Sequence, residues 1–350
     1  MKALKNLGIV PVKNEELQKA LQFNIDQKTK PVGSLGQLEE LALQIGLIQE
    51  TTKPVLNKPV MLTIASDHEI AKEKVSPVPT EITWQQVLNF INGGGGIGLF
   101  SRLYGFDLYV VDAGVDYDFT PHPGLIDKKV RKGTRNFLHE PAMTTEECNQ
   151  ALQNGRNVVA SFAEKGTNVI GFGEMGIANS SPATALLSVY AGIPAETCTG
   201  PGCGLSPEGV SHKAKVLKQA IEKLGIAATP EENLARFGGL EIATIAGGML
   251  EAASRRMLIL VDGFITTAAF LAAYAICPTV KDYAVFSHCS HEPGHLKMLD
   301  FVGAKPVLDL QLRLGEGTGA ALVFPIIQAS LAMLNQMTSF TEAKVYNVTT

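Results

Sequence analysis

The sequence predicts an α/β fold, a parallel sheet flanked by helices, and two observations carry that expectation. Short apolar runs at residues 60–65, 108–112, 168–172, 258–261 and 283–286 end in or are followed by Ser, Asp or Gly. Helix-length segments separate them, which is the rhythm of parallel strands joined by crossover helices. Ligands of open parallel sheets bind beyond the carboxyl ends of the strands. Those ends carry Ser66-Asp67-His68, Asp112-Ala113-Gly114, Gly173-Glu174-Met175-Gly176, Asp262-Gly263 and Ser287-His288, so polar residues converge on one rim.

Taken along the chain, residues 1–24 read as helical with mixed polar and apolar character. After the first strand, a helical pattern over 84–104 contains Gly93-Gly94-Gly95-Gly96. Each Gly there costs on the order of 1 kcal/mol relative to Ala, so the run implies close packing against backbone or ligand, or a break in the helix. Residues 120–135, with Pro, His and Lys, read as an exposed excursion. The third strand leads through Gly173-Glu174-Met175-Gly176 into a helical run over 183–190, and Ser180 or Ser181 there could also act simply as N-cap. The apolar stretch 257–276 contains Asp262, Gly263, Thr266 and Thr267, and reads as a strand running into a buried helix rather than a membrane span. Pro293 suits the first turn of a helix whose cap region begins near Ser290. Residues 318–337 form a long apolar helix candidate. Residues 1–24 and this last helix lie outside the strand rhythm, so they are expected to pair as a small helical domain.

Composition narrows the class. At 350 residues the chain can bury a sizeable core and suits one large domain with a smaller satellite. With 45% hydrophobic and 18% charged residues and 34 glycines, it reads as an enzyme with tight loops. A net charge of -4 without a basic run argues against nucleic acid as partner. No signal-peptide pattern opens the chain, so a cytoplasmic location is expected. The five cysteines show no C-x-x-C pair and read as reduced thiols.

Several motifs could carry chemistry. Gly315-Glu316-Gly317 sets one carboxylate between glycines ahead of an apolar helix. Flanking apolar residues would desolvate it and raise its pKa toward neutrality, as a catalytic base requires, although a glycine-rich turn with a solvated Glu has the same sequence. Gly173 to Ser181 and Thr199 to Ser206 are glycine-rich segments ahead of helical runs, a setting that presents backbone N–H groups to phosphate. Together they suggest a phosphorylated ligand. Lys213, early in the helix after the second loop, could neutralise a phosphate or be a solvated lysine. His288, His291, His295, Cys289 and Glu292, with Asp67-His68-Glu69, invite a metal-site hypothesis beside a polar ligand-binding loop, but their spacing matches no H-E-x-x-H pattern.

Read in order, the motifs Lys30-Pro31-Val32-Gly33-Ser34-Leu35-Gly36, Ser66-Asp67-His68, Gly173-Glu174-Met175-Gly176, Gly238-Gly239-Leu240-Glu241-Ile242-Ala243, Val261-Asp262-Gly263-Phe264-Ile265, Ser290-His291-Glu292-Pro293-Gly294-His295 and Leu312 to Ala320 resemble the nicotinate-nucleotide:dimethylbenzimidazole phosphoribosyltransferases of cobalamin biosynthesis. The likeness runs from about residue 20 to 340. It implies a Rossmann-like parallel sheet with a small helical domain formed from both termini, here 1–25 plus 318–350, around a large nucleotide- and acceptor-binding domain, 26–317. The implied reaction moves 5-phosphoribosyl from nicotinate mononucleotide to an aromatic lower-ligand base, giving an α-riboside 5′-phosphate and nicotinate. No metal or cofactor is implied, and the implied assembly is a dimer.

The resemblance puts Glu316 at the general base and Glu174 at a second carboxylate near the reacting sugar. It puts Gly176, Ser180, Gly202, Gly204, Lys213 and Ser290 in the nucleotide- and phosphate-binding set, and Gln85, Pro77, Met175 and Leu314 around the acceptor. The chain departs from the family at Ser66 and Glu69, where Gly is usual, over Val75 to Pro79, and at Pro201 and Cys203, where Arg and Thr are usual. Those departures leave the acceptor open between dimethylbenzimidazole or a purine and a phenolic such as phenol or p-cresol. They also admit a different reading, a catalytically weak stabilising subunit of a heterodimer with an active paralogue.

Overall fold

The computed structural model describes residues 7–347. Its centre is a six-stranded, all-parallel sheet of β1 (Val60–Ser66), β2 (Asp107–Gly114), β3 (Leu125–Asp127), β4 (Val169–Met175), β5 (Leu258–Val261) and β6 (Ala284–Phe286), in the order β3-β2-β1-β4-β5-β6. Every residue of β1 is buried, as a strand covered on both faces requires. The strand read from 258–261 falls on β5, and the other apolar runs fall on β1, β2, β4 and β6. β3 escaped the sequence reading because it is three residues long, ends in an exposed Asp127 and lies inside the 120–135 excursion. A short edge strand has neither the length nor the two-sided burial that makes a strand legible.

The sheet reverses its winding between β1 and β4, which are adjacent and pair Ile64 with Glu174 and Ala65 with Met175. That switch point is where loops leave the carboxyl ends in opposite directions and open a crevice. The stretch 257–276 is the strand β5 followed by the buried helix Phe264–Ile276. Among the described residues one helix, Thr318–Gln336, is long and apolar enough to cross a membrane, but 61% of its apolar window is buried inside the protein.

The helical reading of 1–24 lies partly outside the described residues; from residue 7 onward the helix starts only at Glu15, where the Asn14 side chain accepts the N–H of Leu17, and runs to Asp26. Leu21 and Ile25 of this helix pack with Ala42 of the helix Gln37–Ile48 and with Met333 and Leu334 in a cluster separate from the main core. The Ser330 hydroxyl donates to the Leu38 carbonyl at 2.7 Å, and the Thr29 N–H donates to the Thr338 carbonyl at 3.1 Å, tying the two ends of the chain together. The helix Thr318–Gln336 is shared: Ala320, Phe324 and Ile327 belong to the main core, and Met333 and Leu334 to the terminal cluster.

Candidate active site

A cavity of about 250 Å³ opens over the β1/β4 switch point. Its walls come from the loop after β1 (Val75, Ser76, Val78), the end of β4 and the turn beyond it (Glu174 to Ser180), Gly202 and Cys203, the start of the helix after β5, His288, Ser290 and Glu292, and Arg313 to Glu316.

Glu316 reaches this cavity from a backbone that L-residues seldom adopt. Its φ is 66°, between Gly315 at 85° and Gly317 at 100°. Gly173 makes room for the turn, since a Cβ there would stand 2.1 Å from the Glu316 carbonyl oxygen. The Thr63 hydroxyl donates to that carbonyl at 2.8 Å. The carboxylate is 7% exposed, and its Oε2 accepts the N–H of Ile97 at 3.0 Å, in the first turn of the helix Gly95–Tyr104. The run Gly93-Gly94-Gly95-Gly96 therefore does both things its sequence allowed. It separates the helix Ile82–Ile91 from Gly95–Tyr104, and it lets the second helix approach Glu316, because a Cβ on Gly95 would stand 3.0 Å from Oε2. Burial pushes the Glu316 carboxyl above its ordinary range; the N–H groups of Ile97 and Gly96 pull it back, and the charge of Asp262 pushes it up again.

Glu174, at the end of β4, is 8% exposed and meets the same turn. A Cβ on Gly315 would stand 2.4 Å from its Oε1, so the two carboxylate-bearing segments are in direct contact. Its Oε2 accepts from the Asn179 side-chain amide. Burial raises its pKa to about 8, the Asn179 bond opposes this, and the carboxylates of Asp262, Glu241 and Glu316 add to the rise. Asn179 itself is the N-cap residue of the helix Ser180–Ala191 and makes no side-chain cap bond, so neither Ser180 nor Ser181 is the cap.

Gly176, Ser180, Gly202 and Ser290 also line the cavity. Lys213 stands behind them. It is fully buried in the helix Pro207–Leu224, and its Nζ donates to Ser180 Oγ at 2.8 Å and points to the Gly200 carbonyl at 3.5 Å. Burial lowers its pKa to about 8 against the pull of Glu292. The Gly202 N–H donates to Glu292 Oε1 at 3.0 Å, so a carboxylate rests on this glycine-rich turn. Gly204 is exposed and does not line the cavity.

Of the residues expected around the acceptor, Met175 and Leu314 line the cavity and Gln85 and Pro77 do not. Gln85 is exposed on the helix Ile82–Ile91; Ile82 and Gln86, one turn apart, form the face that meets the cavity. Pro77 is exposed between Ser76 and Val78, whose side chains take the wall. Helical periodicity applied to Ile82 would have favoured Gln86. Asp67, His68 and Glu69 line a neighbouring cavity of about 500 Å³ that shares only Val78 with the first.

The histidines read as a possible metal cluster point apart. His295 accepts the Ser290 N–H through Nδ1 at 2.7 Å and meets the Thr267 hydroxyl through Nε2 at 2.9 Å, and burial lowers its pKa to about 3. His291 is exposed, and His288 lies 3.7 Å from Asp262 Oδ1. Among the described residues no group of three or more His, Cys, Asp or Glu could hold a metal ion.

A family model described as Phosphoribosyltransferase (DBI_PRT) matches residues 10–345. The chain is 50% identical over 330 residues to a protein of Parabacteroides distasonis named nicotinate-nucleotide--dimethylbenzimidazole phosphoribosyltransferase, covering 94% of this chain and 95% of that one. A protein of the same name from Cupriavidus taiwanensis is 49% identical over 336 residues, covering 96% and 97%. The crystal structure of CobT from Thermus thermophilus superposes with a TM-score of 0.92 at 39% identity, covering 95% of this chain and 99% of that one.

Proposed function

We infer function from one premise: this chain belongs to the phosphoribosyltransferase family and is an enzyme of that class. We propose that it moves the 5-phosphoribosyl group of nicotinate mononucleotide to an aromatic lower-ligand base of cobamides. The observation that carries this reading is the meeting of Glu316 and Glu174 in one cavity with a glycine-rich lining backed by Lys213.

In this reading Glu316 removes the proton of the acceptor as its nitrogen or oxygen attacks C1′ of the ribose. The new bond to C1′ forms as the bond to the pyridinium nitrogen breaks. Nicotinate leaves with its ring nitrogen neutral, so the departure needs no acid. A positioned base contributes roughly 10²–10⁴-fold to such a step. Glu174 lies where positive charge develops at C1′ and would stabilise it once ionised. Gly176, Ser180, Gly202 and Ser290 receive the nucleotide with Lys213 behind them, and the apolar wall of Val75, Val78, Ile82, Met175 and Leu314, with Gln86, receives a flat acceptor. Both a benzimidazole and a phenol fit that chemistry, the phenol as an O-glycoside. The same reading takes the enzyme as a cytoplasmic dimer.

The test is to incubate the purified chain with nicotinate mononucleotide and equal amounts of dimethylbenzimidazole, adenine, phenol and p-cresol, and to identify the riboside phosphate by mass. We expect nicotinate release with one aromatic acceptor favoured. No release by the chain alone, restored by a paralogous subunit, would replace this reading with that of a stabilising partner.

A further inference from the structure

Val261-Asp262-Gly263 ends β5, and the transfer chemistry so far leaves its carboxylate without a task. Asp262 is 1% exposed. Its Oδ1 accepts the N–H groups of Gly319 at 2.6 Å and Ala320 at 3.1 Å, and its Oδ2 accepts that of Gly317 at 3.0 Å. These donors open the helix Thr318–Gln336 and directly follow Glu316 in the chain. The left-handed turn that aims Glu316 is therefore held from both sides, by Thr63 at its carbonyl and by Asp262 at the N–H groups beyond it. The charged and titratable groups near this turn are His288, 3.7 Å from Asp262, and Glu174 against Gly315, with Glu241 acting on Glu174.

We propose that Asp262 is a positioning residue for phosphoribosyl transfer: its carboxylate clamps the opening N–H groups of Thr318–Gln336 and thereby sets where the Glu316 carboxylate meets the acceptor's proton. The proposal rests on the reading of Glu316 as the base. It separates placement from binding, because the backbone N–H groups bonded to Asp262 belong to the turn that carries the base.

The experiment compares Asp262→Asn, Gly319→Ala and Glu316→Gln in the full chain, following nicotinate release against pH. A misplaced base costs up to about 10²-fold, so Asp262→Asn should lower kcat at least about tenfold with KM for the nucleotide within about threefold. Its negative charge raises the Glu316 pKa, so removing it should move the acid limb of kcat to lower pH. Gly319→Ala keeps the charge but puts a methyl 2.7 Å from Asp262 Oδ1 and 2.1 Å from His288 Cδ2. It should lower kcat with the acid limb unmoved. Normal kcat in Asp262→Asn beside an inactive Glu316→Gln overturns the role of Asp262 and leaves the base in place. So does a raised nucleotide KM with unchanged kcat. Near-normal turnover in Glu316→Gln removes the base assignment itself. If Asp262→Asn does not fold, normal kcat in Gly319→Ala overturns the proposal.

Discussion

Glu316 Oε2 accepts the backbone N–H of Ile97 at 3.0 Å, so the carboxylate between glycines rests on the first turn of a helix distant in sequence. That bond stabilises the ionised form while burial and the charge of Asp262 oppose it, which leaves the carboxyl above its ordinary range and a stronger base than a solvated Glu.

Glu316→Gln preserves an oxygen for the Ile97 N–H and should fold normally. It removes the base, so kcat should fall by roughly 10²–10⁴-fold while the nucleotide still binds. Single-turnover nicotinate release alongside nucleotide titration measures the two separately.

Gly315→Ala joins two faults, a φ of 85° that disfavours a side chain and a methyl 2.4 Å from Glu174 Oε1. A loss of about 1–3 kcal/mol is expected from the strained backbone alone, read as a fall in denaturation midpoint. Turnover should fall further than stability explains, because the methyl pushes on the Glu174 carboxylate and strains the turn that carries Glu316.

Glu174 has its pKa raised from the ordinary 4.5 to about 8, chiefly by burial. The folded state therefore holds a proton that the unfolded chain loses, and the resulting stability is full below 4.5 and is lost as pH rises through 8. Glu174→Gln should remove this dependence, so the variant should gain in Tm relative to the wild type as pH rises from about 4.5 to about 8. If Glu174 ionises to face the pyridinium nucleotide, binding near pH 7 should release a proton in the wild type and not in the variant. Calorimetry in buffers of different ionisation enthalpy reads that difference.

Lys213 shows the opposite linkage. Its folded pKa, lowered from 10.5 to about 8 by burial, makes the charged form costly below 8, so stability rises with pH between about 8 and 10.5. Lys213→Met should flatten that rise and leave Tm at pH 7 unchanged or higher, while KM for the nucleotide increases. A melting series across the alkaline range and a KM measurement test both halves.

The alternation of apolar runs and helix-length segments determined the parallel sheet, because strands buried on both faces must be continuously apolar and their crossovers must be long. Motif order determined the family, and residue type marked Glu316, Glu174 and Lys213. Tertiary structure alone decided what surrounds them. Ile97 and Asp262 reach the Glu316 turn from distant parts of the chain, and Asn179 turns from capping its helix to bonding Glu174. Gln86 takes the cavity wall in place of Gln85 because a helix presents one face, and a one-residue error rotates a side chain out of it. Residue types and local spacing are written along the chain; desolvation and the donors that oppose it arise only when segments far apart in sequence close around one carboxylate.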